Sequence, residues 1–228
     1  MKKFLTSCLV LLLVACTHEP APQPIQLNYT SLSKIYLDTR DLRIIDRSKA
    51  TTHWNPYVGH LFSPTLTEAT HNLAAARIQT TGHLGHATFI IKDANIAEQP
   101  LEISSDLSSL FTRQQASKYI GRLEVSLEAQ SSVDGSLGTA SAVAVHAVTL
   151  PENPSAYEKQ EAYRTLLTSL MATLNKNLDK AIKKHLSRFL LSGPYGKRKD
   201  PFVSLISPTT DSEIPRRTPS VGQGMRQD

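Results

Sequence analysis

The chain has 228 residues, a formal net charge of +5, 40% hydrophobic residues and a mean hydropathy of -0.23. That length and composition fit one globular domain with a sizeable core and segments to spare at both ends. The 25 basic residues are scattered among 20 acidic ones, with no basic patch interleaved with aromatics, which excludes a nucleic-acid interface as the reading.

The N-terminus decides the class of protein. Lys2 and Lys3 form a positive start, and Phe4 to Val14 is apolar apart from Thr6 and Ser7. This run suits the apolar stretch of a signal peptide and is too short to span a bilayer as a helix. It ends Leu13-Val14-Ala15-Cys16. Residues 1–15 are therefore read as a signal peptide. Losing Lys2 and Lys3 takes the charge from +5 to +3, a weak lean towards acidic partners such as lipid head groups or cell-wall polymer. Cys8 leaves as well, so Cys16 is the only mature thiol and no intramolecular disulfide can form.

Residues 16–25 follow as a tether, with prolines at 20, 22 and 24. Extended at about 3.1 Å per residue, eight such residues reach roughly 25 Å.

The folded part is assigned to 26–192. Lys34 to Leu37 and Arg43 to Ile45 are β-leaning pieces joined by a charged turn at Asp38–Asp41, and His53 to Tyr57 is an ordered loop with two large aromatics. A helix is predicted over Pro64 to Thr80, capped by Ser63-Pro64 or by the box Thr65-x-x-Glu68 and stopped by Gly82. Three long strands come next. Ala87 to Ala97 is rich in Ile and Phe. In Tyr119 to Ala129, Leu123, Val125, Leu127 and Ala129 point one way and Arg122, Glu124, Ser126 and Glu128 the other, the pattern of a half-buried antiparallel strand. Asp134-Gly135 marks a hairpin turn, and Thr139 to Leu150 returns, with Ala140, Ala142 and Ala144 on one face.

The second helix opens on the capping box Ser155-x-x-Glu158 and keeps Tyr163, Leu166, Leu167, Leu170, Leu174, Leu178, Ile182 and Phe189 on one face until Gly193-Pro194. About 36 residues would make it ~54 Å long, enough to overhang the strands. The remainder, 193–228, is Pro-rich and read as a disordered tail with one apolar island, Phe202 to Ile206. The order ββ-α-βββ-α gives an α+β domain of two layers: an antiparallel sheet with two helices on one face.

Leu13 to Cys16 resembles the lipobox of bacterial lipoproteins. The resemblance implies cleavage before Cys16, a diacylglyceryl thioether on its sulfur and a fatty amide, commonly palmitate, on its amine. Thr17 in place of an aspartate implies transfer to the periplasmic face of the outer membrane, with the inner membrane as the alternative. Lipobox, tether and small two-helix domain together resemble the periplasmic auxiliary lipoproteins of envelope transport, of the PqiC type or LptE-like. From that resemblance come an expected envelope protein as partner and a non-catalytic transport-accessory role.

Chemistry-bearing motifs are sparse. His83-x-x-His86 lacks nearby Cys, Asp or Glu to complete a zinc set. There is no Gly-x-Ser-x-Gly elbow and no phosphate-binding Gly-rich loop. The expectation is no catalytic residue, no metal and no cofactor. Two other classes stay open: a lipid or lipopolysaccharide carrier with an apolar groove near Ala140–Ala144, and a periplasmic hydrolase bringing a histidine, an acid and a nucleophile into one cleft.

Overall fold

The computed structural model describes residues 24–48, 56–102 and 113–194. The signal peptide, Cys16, the start of the tether, Trp54 and the tail from residue 195 lie outside them.

The fold is α+β. In chain order come β1 (Ile35–Leu37), β2 (Asp41–Asp46), α1 (Leu66–Arg77), β3 (Ile78–Thr80), β4 (His86–Pro100), β5 (Gln115–Gln130), β6 (Leu137–Pro151) and α2 (Ala156–His185). The main sheet has the order β2-β4-β5-β6, and both helices share a single apolar core with its inner face. β4, β5 and β6 are antiparallel neighbours, whereas β2 runs parallel to β4. The sheet is thus mixed where an antiparallel one was expected. Parallel neighbours need a long crossover, and the stretch containing α1 supplies it. The same stretch brings β3 parallel to β1 in a second, two-stranded sheet. β3 occupies the end of the segment predicted as helix, which stops at Arg77.

Helix α1 uses the Thr65 box: Thr65 Oγ1 accepts from the Glu68 amide at 3.2 Å, and the Thr65 amide donates to Glu68 Oε2 at 2.8 Å. In β5, Leu123, Val125, Leu127 and Ala129 are all fully buried, as the alternation requires. The turn after it is set by Gly135 at φ 68°, with Asp134 Oδ1 accepting from the Ser136 amide and hydroxyl.

Helix α2 packs on β5 and β6 through small residues. Ala140, Ala142 and Ala144 are 0–3% exposed. A Cβ on Gly121 would stand 2.5 Å from Leu170 Cδ1, and one on Gly138 would stand 2.6 Å from Leu186 Cδ2. Larger side chains there would push the helix off the sheet. The helix has 30 residues and not the predicted 36. At Leu186 the chain turns, Phe189 folds onto Gly138, and the next residues pair with β1: the Leu191 amide donates to Tyr36 O at 2.9 Å. At ~45 Å the helix matches the roughly 50 Å of β5 and does not overhang it.

One buried ion locks the helices together. Arg77, 4% exposed, ends α1. Its Nε and Nη2 both donate to Ser33 O at 3.0 Å, Nη1 donates to Asn175 Oδ1, and Nη2 meets Asp179 Oδ1 at 2.9 Å. The N-terminal segment, α1 and the middle of α2 thus meet at one guanidinium. Arg77→Ala is expected to lower unfolding free energy by about 2 kcal/mol, because the packing of the buried Arg77 side chain is lost along with its bonds to the Ser33 carbonyl, the Asn175 amide oxygen and the Asp179 carboxylate. Urea denaturation measures this; a loss below about 1 kcal/mol would show that the lock contributes little.

Candidate functional site: the end of the domain opposite the chain's entry

The two ends of the sheet–helix layer differ in chemistry. Residues 25–34 run alongside α1, and the packed domain starts at Ile25, 6% exposed, at the edge of the predicted tether. Ile25 shares a shallow groove of about 310 Å³ with Ser63, Pro64 and Ala69 at the start of α1. Tyr29 hydroxyl donates to Ala69 O at 2.9 Å, and burial pushes the Tyr29 phenol up to about 12. Beside this stretch Phe62 stacks on Tyr163 at 4.2 Å and meets Tyr119 edge-on at 5.6 Å, while Tyr163 hydroxyl donates to Pro64 O. Burial raises both tyrosine phenols, that of Tyr119 to about 12. The chain therefore enters the domain at the N-terminal ends of both helices.

Helix α2 begins at that same end. Ser155 and Glu158 form the predicted capping box, and Arg113 clamps it: Nη1 donates to Glu158 Oε1 at 2.5 Å and Nη2 to Oε2 at 2.9 Å. The Arg113 hydrogen bonds first, and the Ser155 amide second, hold the Glu158 carboxyl down at about 2.

The opposite end is built from the loop before β4, the β5–β6 turn and the close of α2. Register fixes the meeting: His86 pairs with Gln130, and Gln130 with Leu137. Three large apolar side chains stand exposed there, Leu84 at 55%, Val133 at 73% and Leu137 at 67%. Lys183, Lys184 and His185 close α2 beside them, exposed, and Arg188 reaches Asp134 Oδ2 at 3.2 Å. Hydrogen bonds from Ser136 hold the Asp134 carboxyl well below the usual carboxylate range. Apolar side chains in turns do nothing for the core, and this end carries three of them together with the basic close of α2, whereas the entry end exposes Leu61 at 67% and Tyr157 at 38%.

The residues singled out from the sequence fall elsewhere. His86 Nδ1 lies 2.9 Å from both Asp41 carboxylate oxygens, and this contact lowers the Asp41 pKa. His83 is exposed and does not join that pair. His146 is partly buried on the inner face, with Nε2 2.7 Å from Thr173 Oγ1. Tyr57 forms a bridge with Ala97 at the edge of the sheet. Among the described residues, no three of His, Cys, Asp and Glu are placed to hold a metal ion, and no helix is long and apolar enough to cross a membrane. The alanine row, where a carrier would need an opening, is filled by α2. The exposed trio was missed on the sequence; its signal was Leu84 between Gly82 and Gly85, and Val133 within Ser-Ser-Val-Asp-Gly.

No family model matches the chain. No curated protein matches it either. Among solved structures, a minor lipoprotein from Acinetobacter baumannii is similar over 65% of this chain and 96% of its own, at 14% identity and a TM-score of 0.35. A neuraminyllactose-binding hemagglutinin homolog from Helicobacter pylori covers 73% and 96% at 8% identity, with a TM-score of 0.33. A DUF330 protein from Xanthomonas campestris covers 72% and 94% at 10% identity, with a TM-score of 0.29. Likenesses of this size bear on neither activity nor partner.

The Arg113–Glu158 clamp gives a pH signature with a definite sign. The folded carboxyl sits at about 2 against an ordinary 4.5, so its contribution is present above pH 4.5 and is lost as pH falls towards 2. Melting temperature is expected to drop across that window, and Glu158→Gln should flatten that part of the curve. An unchanged acid profile in the variant would refute the clamp.

Proposed function

We propose that this protein is a lipid-anchored envelope lipoprotein whose domain acts without catalysis, by holding another envelope protein at the end facing away from the bilayer. Cys16, acylated after removal of residues 1–15, would supply the anchor. A single acyl chain binds a membrane only reversibly, whereas two or three on one cysteine hold a domain there for practical purposes. The outer membrane, periplasmic face, is the proposed site, on the strength of Thr17.

The observation that carries the reading is the opposition of the two ends. The chain enters at the helix N-termini through a short proline-rich spacer, and Leu84, Val133 and Leu137 stand exposed at the far end. With an extended spacer and a helix of this length, that patch can stand up to about 70 Å from the lipid surface. Its basic border, Lys183, Lys184 and Arg188, suits a partner that pairs an apolar contact with acidic groups around it. A carrier reading is not favoured, because the alanine row that would line its groove is closed.

Two substitutions test the two halves. Val133→Glu with Leu137→Glu changes exposed side chains and should leave folding intact, yet abolish co-purification of partners from solubilised envelopes by at least about tenfold, the equivalent of ~1.4 kcal/mol. Cys16→Ser should move the folded protein into the soluble fraction. Unchanged capture by the first variant would remove the far end from the account, and unchanged membrane partitioning of the second would remove the anchor.

A further inference from the structure

The two edges of the main sheet are built differently. The β2 edge is six residues long and carries Asp41, Arg43 and Asp46, the short charged design that discourages strand pairing. The β6 edge is 15 residues long, and from Leu137 to Pro151 it has no charged residue and no proline before its last position. Its only neighbour in the sheet, among the described residues, is β5.

One contact reveals which backbone groups face outward. Asn177 Nδ2 donates to Val143 O at 2.8 Å from the flank of α2. Amides and carbonyls alternate sides along a strand, so the N–H and C=O of Ser141, Val143, Val145, Ala147 and Thr149 point to the open edge. The side chains of these same residues project onto the outer face, where all five are exposed, Val143 at 38% and Val145 at 51%.

We propose that the β6 edge pairs with the β6 edge of a second copy of this chain, antiparallel about a two-fold axis at Val145. A row of strand donors and acceptors that, among the described residues, is met only by Asn177 at Val143 O calls for another strand. The argument for a second copy is self-complementarity. Centred at Val145, the pairing sets Val145 opposite itself, Val143 opposite Ala147 and Ser141 opposite Thr149, each with both backbone hydrogen bonds available. The facing side chains are β-branched, small or hydroxylic, pairs that stabilise antiparallel strands. Since the strand is uncharged, the two strands set no like charges opposite one another, which is the usual obstacle to a strand pairing with itself. Asn177 is the guard on this edge, and it must turn off Val143 O as the strands join. The inference is independent of acylation at Cys16 and of what the far end binds.

Sedimentation equilibrium of the chain from residue 16 onward, carrying Cys16→Ser, tests it in solution. The mass should rise from one chain to two with concentration. Val145→Lys should hold it at one, and Asn177→Ala should shift the transition to lower concentration. In the same background Val145→Cys is the sole thiol, and mild oxidation should trap a covalent dimer, because opposed residues across such a pair lie within disulfide reach. A wild-type mass that stays at one chain, or a dimer indifferent to Val145→Lys, overturns the proposal. Hydrogen exchange supplies the last check: the Val145, Ala147 and Thr149 amides should exchange quickly in the dilute monomer and slow on association. Protection in the monomer would mean that another part of the chain already covers the edge, and would likewise overturn it.

Discussion

The closeness of α2 to the sheet is the constraint on which the rest depends. A 30-residue helix lies along β6 because Gly121, Gly138 and the alanines at 140, 142 and 144 keep the strand surface low. Nine residues of the helix are buried in the shared core, and its larger apolar side chains so removed from water contribute on the order of 2 kcal/mol each before chain entropy is set against them. The contact also closes the space in which a lipid would have to lie.

Helix and strands of equal length give the domain two well-defined ends. Aromatic packing around Phe62, the Tyr163 and Tyr29 hydroxyls and the Arg113–Glu158 clamp concentrate buried and hydrogen-bonded groups where the chain enters. The opposite end leaves Leu84, Val133 and Leu137 in water. Under the proposed function, the densely packed entry end would face the anchor and the exposed turns at the far end would face a partner. The sheet edge at β6 adds a third surface, distinct because its chemistry is backbone rather than side chain.

Local signals in the sequence located most of the elements. The capping boxes at Thr65 and Ser155, the strict alternation in β5 and the Asp134-Gly135 turn all stand where nearest-neighbour chemistry puts them. What depended on distant partners was not legible. Ile78 to Thr80 reads as the tail of a helix until β1 is there to pair with it. Phe189 keeps the apolar period of the helix, yet it packs on Gly138 after the chain has turned. Nothing local marks Arg77 for burial, yet three partner residues from two distant segments, Ser33 on one side and Asn175 and Asp179 on the other, hold it inside. The exposed patch was hidden for a related reason: its members are far apart in sequence and belong to turns, where no periodicity marks them. Cys16, the one site residue named from the sequence, rests on the lipobox resemblance and precedes the described residues.

Anchorage by lipid at one end is the central claim, and intact-mass spectrometry of the mature protein extracted from membranes tests it most directly. The account expects a chain beginning at residue 16 whose mass exceeds that of the polypeptide by a diacylglyceryl group, with or without an amide-linked fatty acid. A chain that keeps its first fifteen residues, or one that begins at residue 16 with an unmodified thiol, would contradict it.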